Sequence, residues 1–143
     1  MSFLLLLAGV VARGAAFTCT PIAVWDGDGP IWCAEGPRIR LSGIATREID
    51  ESCKPGHPCP AGAGTAARDH LVKLLGGPTG RLNTGHVKVR APALRCTSTG
   101  SGEGARTAAL CVSPSVGDLS CAMVQSRHAL RWRRYGGDRL CSR

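Results

Sequence analysis

Alternating apolar and polar positions predict that the chain begins as a series of short β-strands. Residues 17–25 favour a pleated strand, although Pro21 favours an edge or bulge position. The Asp-Gly repeat at 26–29 predicts a tight turn, and returning strands are expected at 30–33 and 38–44. Three consecutive strands of this kind indicate an all-β beginning, in the form of a small antiparallel barrel.

A glycine- and proline-rich loop, residues 45–64, separates these strands from a predicted helix over residues 65–75. In this prediction Thr65 caps the helix, and the Gly76-Gly77 pair ends it. One face of the helix carries an apolar stripe of Ala67, Leu71, Leu74 and Leu75. We expect that stripe to pack across an open end of the barrel.

The second half of the chain returns to a strand pattern and then to a helix. Residues 86–94 alternate, and residues 107–112 are their expected partner across a flexible glycine-rich loop at 97–106. Asp118 is the expected cap of a final short helix over 119–130. The predicted fold class is therefore α+β, mainly β, with two to three helices.

The chain has eight cysteines among 143 residues, a density typical of a disulfide framework. A zinc site is the alternative, but no CxxC pair or spaced histidines accompany the cysteines. Eight bridged cysteines allow 105 pairings. Local structure favours one of them: Cys19–Cys33, Cys53–Cys59, Cys96–Cys111 and Cys121–Cys141.

The first residues resemble an export signal. Residues 3–12 form an apolar run too short to span a bilayer, and Ala15-Ala16 before Phe17 suits a cleavage site. A basic start to the segment is missing, and a buried strand or helix is the alternative. We predict a signal peptide over residues 1–16, a secreted or periplasmic mature protein, and no stable membrane insertion after cleavage.

The formal net charge is +8, and six of the fifteen arginines lie between positions 127 and 143. A basic surface attracts polyanions such as nucleic acid or anionic lipid. Solvated surface charge is the alternative. Aromatic residues make up 4% of the chain, too few for an extensive platform on which bases stack.

The stretch from 24 to 48 carries the candidate chemistry. Asp26 and Asp28 flank a glycine and could supply hard oxygen ligands to a divalent cation, or could merely form the turn. Arg40 and Glu48 could clamp a phosphate and activate water, or could form a structural ion pair. Together these residues suit metal-assisted phosphodiester hydrolysis. The four histidines, His57, His70, His86 and His128, share no spacing and are interpreted as surface or helix-face residues.

Four segments, in this order, resemble the thermonuclease family of staphylococcal-nuclease-like domains. They are VWDGDG (24–29), RIRLSGIATRE (38–48), ARTAALC (105–111) and DLSCAMV (118–124). The resemblance covers residues 17–136 and leaves 137–143 as a C-terminal tail. It implies an OB-like five-stranded β-barrel with helices at one end.

The resemblance also implies a role for each matching residue. Asp28 would be a Ca²⁺ ligand, and Thr46 would offer its backbone carbonyl to the metal. Arg40 would hold the scissile phosphate, Glu48 would act as general base or position the attacking water, and Arg106 would stabilise the transition state and leaving group.

This sequence departs from the family pattern around the metal. Ala45 stands where the family has a second ligand aspartate, Arg47 stands where it has proline, and Gly29 replaces the threonine after the turn. Calcium binds more weakly as the negative charge of its ligands falls. The metal site is therefore expected to be weakened while the phosphate-binding residues remain.

Three functions are compatible with these observations. The first is an exported, monomeric, Ca²⁺-dependent nuclease acting on DNA or RNA. The alternative is a catalytically inactive nuclease-like module that binds nucleic acid or another polyanion. The third is a disulfide-held extracellular interaction domain.

Overall fold

The structure, a computed structural model, describes residues 9–142 of the chain. It is a mostly β member of the α+β class, with two helices and four disulfides, as the sequence predicts at that level. The predicted signal peptide lies partly outside the described residues. From Val11 onward the segment lies against the sheet, where the Val11 amide donates to Thr107 Oγ1 at 3.0 Å and the Gly14 amide to the Ser98 carbonyl at 2.8 Å.

Eleven short strands are found within the described residues. They are β1 (Ala16–Cys19), β2 (Pro21–Asp26), β3 (Gly29–Cys33), β4 (Arg38–Leu41), β5 (Ile44–Ala45), β6 (Pro78–Arg81), β7 (Val87–Val89), β8 (Leu94–Ser101), β9 (Thr107–Ser113), β10 (Gly117–Asp118) and β11 (Leu130–Arg131). The helices are α1 (Gly64–Leu74) and α2 (Leu119–Gln125), followed by two 3₁₀ turns at Arg133–Tyr135 and Gly137–Arg139.

Nine of these strands form one mixed sheet in the order β1-β8-β9-β4-β3-β2-β7-β6, with β10 added to β9. The β4–β9 pairing is parallel and the other pairings in the sheet are antiparallel. A second, two-stranded sheet joins β5 to β11. The ladder of the described residues does not close into a barrel. The strands β7 and β8 do not pair with each other in this sheet, but they follow each other along the chain with four residues between them.

The core lies between the sheet and the two helices. Its fully buried members include Val24, Ile31, Ile39 and Leu41 from the strands, with Leu71, Leu119 and Met123 from the helices. These residues occupy the apolar positions of the alternating and helical patterns, so burial of the pattern explains the packing.

All four predicted disulfides are confirmed: Cys19–Cys33, Cys53–Cys59, Cys96–Cys111 and Cys121–Cys141. Cys96 and Cys111 lie directly opposite each other in the β8–β9 register. Neither described helix has the length and apolarity that a membrane-crossing helix requires.

The predicted pairing of 86–94 with 107–112 is wrong. The 86–94 segment splits, since β7 pairs with β2 and β6, while β8 begins at Leu94 and pairs with β9. Much of the predicted loop at 97–106 is therefore strand, and a tight turn remains at 102–106. Serine, threonine and glycine suggested a loop, but pairing along the full length of β9 stabilises an extended strand.

The cap at the start of α1 and the C-terminal end of α2 also differ from the prediction. Thr65 does not cap α1; the Gly64 amide donates to the Glu51 carboxylate at 2.6 Å, across 13 residues. Asp118 caps α2 as predicted, because its Oδ1 accepts from the Cys121 amide at 2.8 Å. That helix ends at Gln125 rather than 130, since Arg127 takes a left-handed conformation and Leu130 pairs with Ala45.

Candidate active-site cleft

A small cleft of about 140 Å³ opens where the β2–β3 turn meets the 47–57 loop and the β8–β9 turn. It is lined by Trp25, Asp26, Asp28, Pro30, Arg40, Glu48, Lys54, His57, Glu103 and Arg106. Four of the five predicted site residues, Asp28, Arg40, Glu48 and Arg106, therefore meet here. The fifth, Thr46, does not line the cleft.

The Asp-Gly-Asp turn is held in place by α1 and β4. A side chain at Gly27 would overlap Ala67 of α1, so only glycine lets the turn pack this closely. The Leu41 amide of β4 donates to the Asp28 carbonyl at 2.8 Å. Both contacts fix the backbone that presents the Asp28 carboxylate to the cleft.

Arg40 reaches the cleft from the middle of β4. Its Nη2 donates to Oδ2 of Asp28 at 3.3 Å, and both side chains are mostly shielded from water, at 15% and 13% exposed. The guanidinium also lies over the ring of Trp132, with Cζ 5.1 Å from the ring centroid. A carboxylate and an aromatic face thus hold Arg40 with its remaining donors toward the cleft.

Asp26 is the most perturbed acid of the site. Burial, then repulsion by Asp28 and Glu48, raises its pKa to about 10. The side chain is 4% exposed and its Oδ1 accepts from the Asp28 amide at 3.2 Å. Asp26 therefore carries a proton at neutral pH.

Backbone contacts position Glu48 at the start of the loop. Its amide donates to the Ser52 carbonyl at 2.8 Å, and its carbonyl accepts from the Glu51 amide at 2.9 Å. Gly64, the first residue of α1, packs so tightly on that carbonyl that a β-carbon would overlap it. The N-terminus of α1 is consequently a rigid support for Glu48.

Arg47 supports the loop. Its Nε donates to the Pro60 carbonyl and its Nη1 to the Glu51 carbonyl, each at 2.7 Å. These contacts give Arg47 a structural role in place of the proline that the thermonuclease pattern has here.

The two residues before Arg47 are enclosed. Ala45 is fully buried in the β5–β11 pair, and Thr46 is 6% exposed with its Oγ1 lacking a hydrogen-bond partner among the described residues. The Thr46 methyl group lies beneath Gly27, where a β-carbon would come within 3.0 Å of it. Thr46 is therefore directly below the acidic turn rather than on the cleft wall.

Arg106 comes from the opposite side, at the end of the β8–β9 turn. Its Nη2 donates to Glu103 at 3.4 Å, and its backbone carbonyl accepts from the Gly102 amide at 2.8 Å. This ion pair is partly exposed, so it restrains Arg106 only weakly and a ligand phosphate can compete for the guanidinium.

The chain matches no protein-family model and no curated protein. The resemblance to thermonucleases accordingly rests on the sequence motifs quoted above.

Sequence reasoning assigned no role in the site to five residues that line the cleft, or to Trp132, which packs against Arg40 and His57; the five are Trp25, Pro30, Lys54, His57 and Glu103. Lys54 and His57 lie in the loop that the Cys53–Cys59 bridge closes, and that short bridge directly after Glu48 was the available signal. Trp132 follows β11, and its ring lies 4.4 Å from that of His57. A segment without periodicity offered no sequence signal for Trp132.

A larger groove of about 1170 Å³ adjoins the cleft and shares Arg40 and Glu103 with it. Its basic lining residues are Arg13, Arg40, Arg133, Arg134 and Arg139, and its aromatic residues are Trp132 and Tyr135. The Tyr135 ring is 51% exposed and meets Trp132 edge-on at 4.8 Å. This arrangement combines five arginines with one exposed aromatic ring, and the acidic residues of the lining are Glu103, Asp118 and Asp138.

The donor set fits a divalent cation only loosely. Asp28 offers a hard carboxylate, and the crowding of carboxylates that keeps Asp26 protonated is the kind of charge that a cation relieves. However, Asp28 is already paired with Arg40, and no group of three or more His, Cys, Asp or Glu residues within 9–142 is arranged to hold a metal. The residues present fit a cation that keeps most of its water ligands.

Proposed function

We propose that this protein is a secreted, thermonuclease-like phosphodiesterase that hydrolyses DNA or RNA with a divalent cation, Ca²⁺. The observation that carries the proposal is the convergence of Asp28, Arg40, Glu48 and Arg106 on one cleft. These residues come from four separate elements, the β2–β3 turn, β4, the 47–57 loop and the β8–β9 turn, so local structure alone does not explain their meeting. Their chemistry matches the needs of phosphodiester hydrolysis.

The two arginines bind the phosphate. In an in-line displacement, negative charge develops on the equatorial oxygens of phosphorus, and fixed cations placed there lower the barrier. Arg40 is held rigidly by Asp28 and Trp132, so it is the preorganised donor. Arg106 is restrained weakly by Glu103 and can move onto the substrate as it binds.

Glu48 takes the proton from the attacking water. Its place on the cleft wall beside Asp28 and Arg40 sets it next to the phosphate that the arginines bind. A bound Ca²⁺, held by Asp28 and water, would supply further positive charge for the phosphate oxygens, while Thr46 lies off the cleft wall. Because Ala45 offers no carboxylate, we propose weak affinity for that ion.

The fold supports the same proposal. If β7 and β8 are taken as one bent strand, it joins β2 at one end and β9 at the other. With β2, β3, β4 and β9 it makes five strands, the number in the OB-like barrel that the resemblance implies. Four disulfides are typical of proteins in oxidising compartments, which supports export.

The groove indicates how the substrate lies. Arginines suit a phosphate backbone, and exposed Tyr135 offers a face on which an unpaired base can stack. Because the groove meets the cleft at Arg40, a strand in the groove would place one phosphate at the catalytic residues. We therefore propose a single-stranded substrate for a monomeric enzyme.

The test is cleavage of single-stranded DNA by the oxidised full chain, with Ca²⁺ and with a chelator. We expect Ca²⁺-stimulated cleavage, reduced about 10²- to 10³-fold by Arg40→Gln. The matched control is Arg38→Gln, two residues along the same strand, where the guanidinium lies over Trp32 and outside the cleft. Equal loss in both variants would contradict a role for Arg40 in the cleft.

The second candidate function is an inactive module that binds nucleic acid or another polyanion. The observation that favours it is the enclosed Ala45 beside a carboxylate already engaged by Arg40. No cleavage under any condition, together with salt-sensitive binding of the same DNA, would favour this module over the enzyme.

A further inference from the structure

His57 lies in the proposed catalytic cleft, although sequence patterns gave it no role. It belongs to the small loop that the Cys53–Cys59 bridge closes, and its amide donates to the Lys54 carbonyl at 3.1 Å. The half-buried imidazole is tilted by 50° against Trp132, with the ring centroids 4.4 Å apart. The same indole carries Arg40 at 5.1 Å, so one tryptophan positions both side chains.

The ring nitrogens of His57 are available to a ligand. Within residues 9–142, none of the side-chain hydrogen bonds engages either of them. By contrast, Nδ1 of His86 is bonded to Thr84 at 2.6 Å, and Nδ1 of His128 to Ser126 at 2.9 Å. His57 therefore combines a place in the cleft, a fixed ring and free nitrogens.

We infer that His57 is the general acid that protonates the leaving oxygen during phosphodiester cleavage. The inference rests on the proposed nuclease function. In the step, a water oxygen forms a bond to phosphorus while the bond from phosphorus to the leaving ester oxygen breaks. Glu48 accepts the proton from water, and an N–H of the His57 imidazolium gives its proton to the leaving oxygen.

The other groups facing the cleft are less suited to this step. Asp26 holds its proton at neutral pH, but its side chain is 4% exposed and its Oδ1 already accepts from the Asp28 amide. Arg40 and Arg106 do not release protons in proteins, and Glu48 accepts a proton on the attacking side. Charged groups around His57 are the acids Asp28, Glu48 and Glu103 and the bases Lys54, Arg40 and Arg106. Lys54, on the same loop, supplies a further positive charge for the phosphate.

The departure at Ala45 gives this acid a larger share of the work. A loosely held cation stabilises the negative charge on a leaving alkoxide less than a firmly held one does. Proton transfer removes that charge directly, so it compensates for weak metal binding. The bridged loop thus provides chemistry that the weakened metal site lacks.

The experiment compares two single-stranded oligodeoxynucleotides that differ at one linkage. One has ordinary phosphodiesters. In the other, sulfur replaces the bridging ester oxygen at one linkage, and this oligonucleotide is prepared in two versions, with the sulfur on the 5′ or on the 3′ side of phosphorus. A thiolate leaves without being protonated because a thiol is far more acidic than an alcohol. Wild type and His57→Gln are assayed with both, and His70→Gln, on α1 outside the cleft, is the matched control.

We expect His57→Gln to lower kcat about 10²-fold on the ordinary strand, with little change in KM. On the sulfur-containing strand, the cleavage rate of the variant should be within about threefold of the wild-type rate, since the leaving thiolate needs no proton. His57→Ala with added imidazole should regain part of the activity on the ordinary strand. Circular dichroism and thermal melting check that the variants fold.

Two results would overturn the inference while leaving the nuclease proposal intact. One is equal cleavage of the ordinary strand by wild type and His57→Gln. The other is an equal loss on both strands without imidazole rescue, which would make His57 a structural residue. Absence of cleavage by wild type is a different result, because it would reject the nuclease function and the acid together.

Discussion

At the residue scale, the cleft places acidic and basic side chains close together where they are partly shielded from water. Asp28 and Arg40 neutralise each other at 3.3 Å, while Asp26 lies behind them with its proton retained. Glu48 lies close enough to Asp26 to help raise its pKa. Asp26 is therefore the acid of the site that stays neutral at pH 7.

Asp26→Asn should stabilise the protein increasingly as pH rises. The folded pKa of Asp26 is raised to about 10, against 3.8 for the ordinary group, so the folded state holds a proton that the unfolded state releases. The stability from this proton is fully present below the unfolded pKa and is lost as pH rises toward the folded value. Asparagine cannot ionise, so we expect almost no gain at pH 4 and a gain that grows by about 1.4 kcal/mol for each pH unit above that, up to the folded pKa.

Urea unfolding with a chelator present, from pH 4 to pH 9, measures this difference. Asp50→Asn is the control of opposite sign, because hydrogen bonds from Ser52 lower the pKa of the exposed Asp50. That variant should lose stability at pH 8 and match wild type at low pH. A pH-independent gap between Asp26→Asn and wild type would contradict the raised pKa.

At the element scale, α1 serves the site through its first turn. Gly64 packs against the Arg47 and Glu48 carbonyls, and Glu51 from the same loop accepts the first free helix amides. The loop and the helix therefore stabilise each other, and the Glu48 backbone lies where the two are in contact. The Cys53–Cys59 bridge then limits the motion of the rest of the loop.

Gly64→Ala should disturb the site without changing any side chain that lines the cleft. The added β-carbon would overlap the Glu48 carbonyl oxygen, so the loop or the helix must shift. We expect a loss of about 1–3 kcal/mol in the free energy of unfolding, with a fall in any cleavage activity. Chemical denaturation and the DNA assay measure the two effects.

Gly62→Ala is the matched control, since a β-carbon at Gly62 meets nothing within 4 Å. Its stability should stay within about 0.5 kcal/mol of wild type. If both alanine variants behaved alike, close packing of α1 on Glu48 would not explain the result.

At the scale of the whole molecule, positive charge is placed unevenly. The formal net charge is +8, and the last part of the described chain folds back to line the groove beside the cleft. The Cys121–Cys141 bridge ties this segment to α2. Arg133, Arg134 and Arg139 therefore line a groove, whereas solvated surface charge was the alternative interpretation of this basic end of the chain.

Replacing Arg133, Arg134 and Arg139 with glutamine should weaken binding of single-stranded DNA and flatten its salt dependence. Each lost phosphate contact lowers the slope of log K against log salt by about 0.7, so three lost contacts lower it by about 2. Fluorescence anisotropy measures the binding constant at salt concentrations from about 50 to about 300 mM, and its dependence on salt gives the slope.

The control replaces three exposed arginines outside the groove, Arg90, Arg95 and Arg127, and so removes the same net charge. Its slope should stay near that of wild type. Equal slopes in the two triple variants would mean that net charge, and not the groove, governs binding.

The sequence by itself determined much of the framework. The pairing of the eight cysteines spans 6 to 20 residues and follows from the predicted turns and loops. The Asp-Gly turn, the first strands, α1 and the Asp118 cap follow from patterns that act within a few residues. Patterns of this range express local backbone preference and the need to bury one face. Four cleft residues were also identified from sequence, since each belongs to a short motif.

Only the tertiary structure decided the rest. Leu94–Ser101 is a strand because β9 lies beside it, α2 ends early because β11 pairs with β5, and Glu51 caps α1 across 13 residues. Arg47 donates to loop carbonyls. Lys54 and His57 line the cleft from the bridged loop, and Trp132, which follows β11, packs against His57. These outcomes depend on contacts between distant parts of the chain, and no local periodicity encodes such contacts.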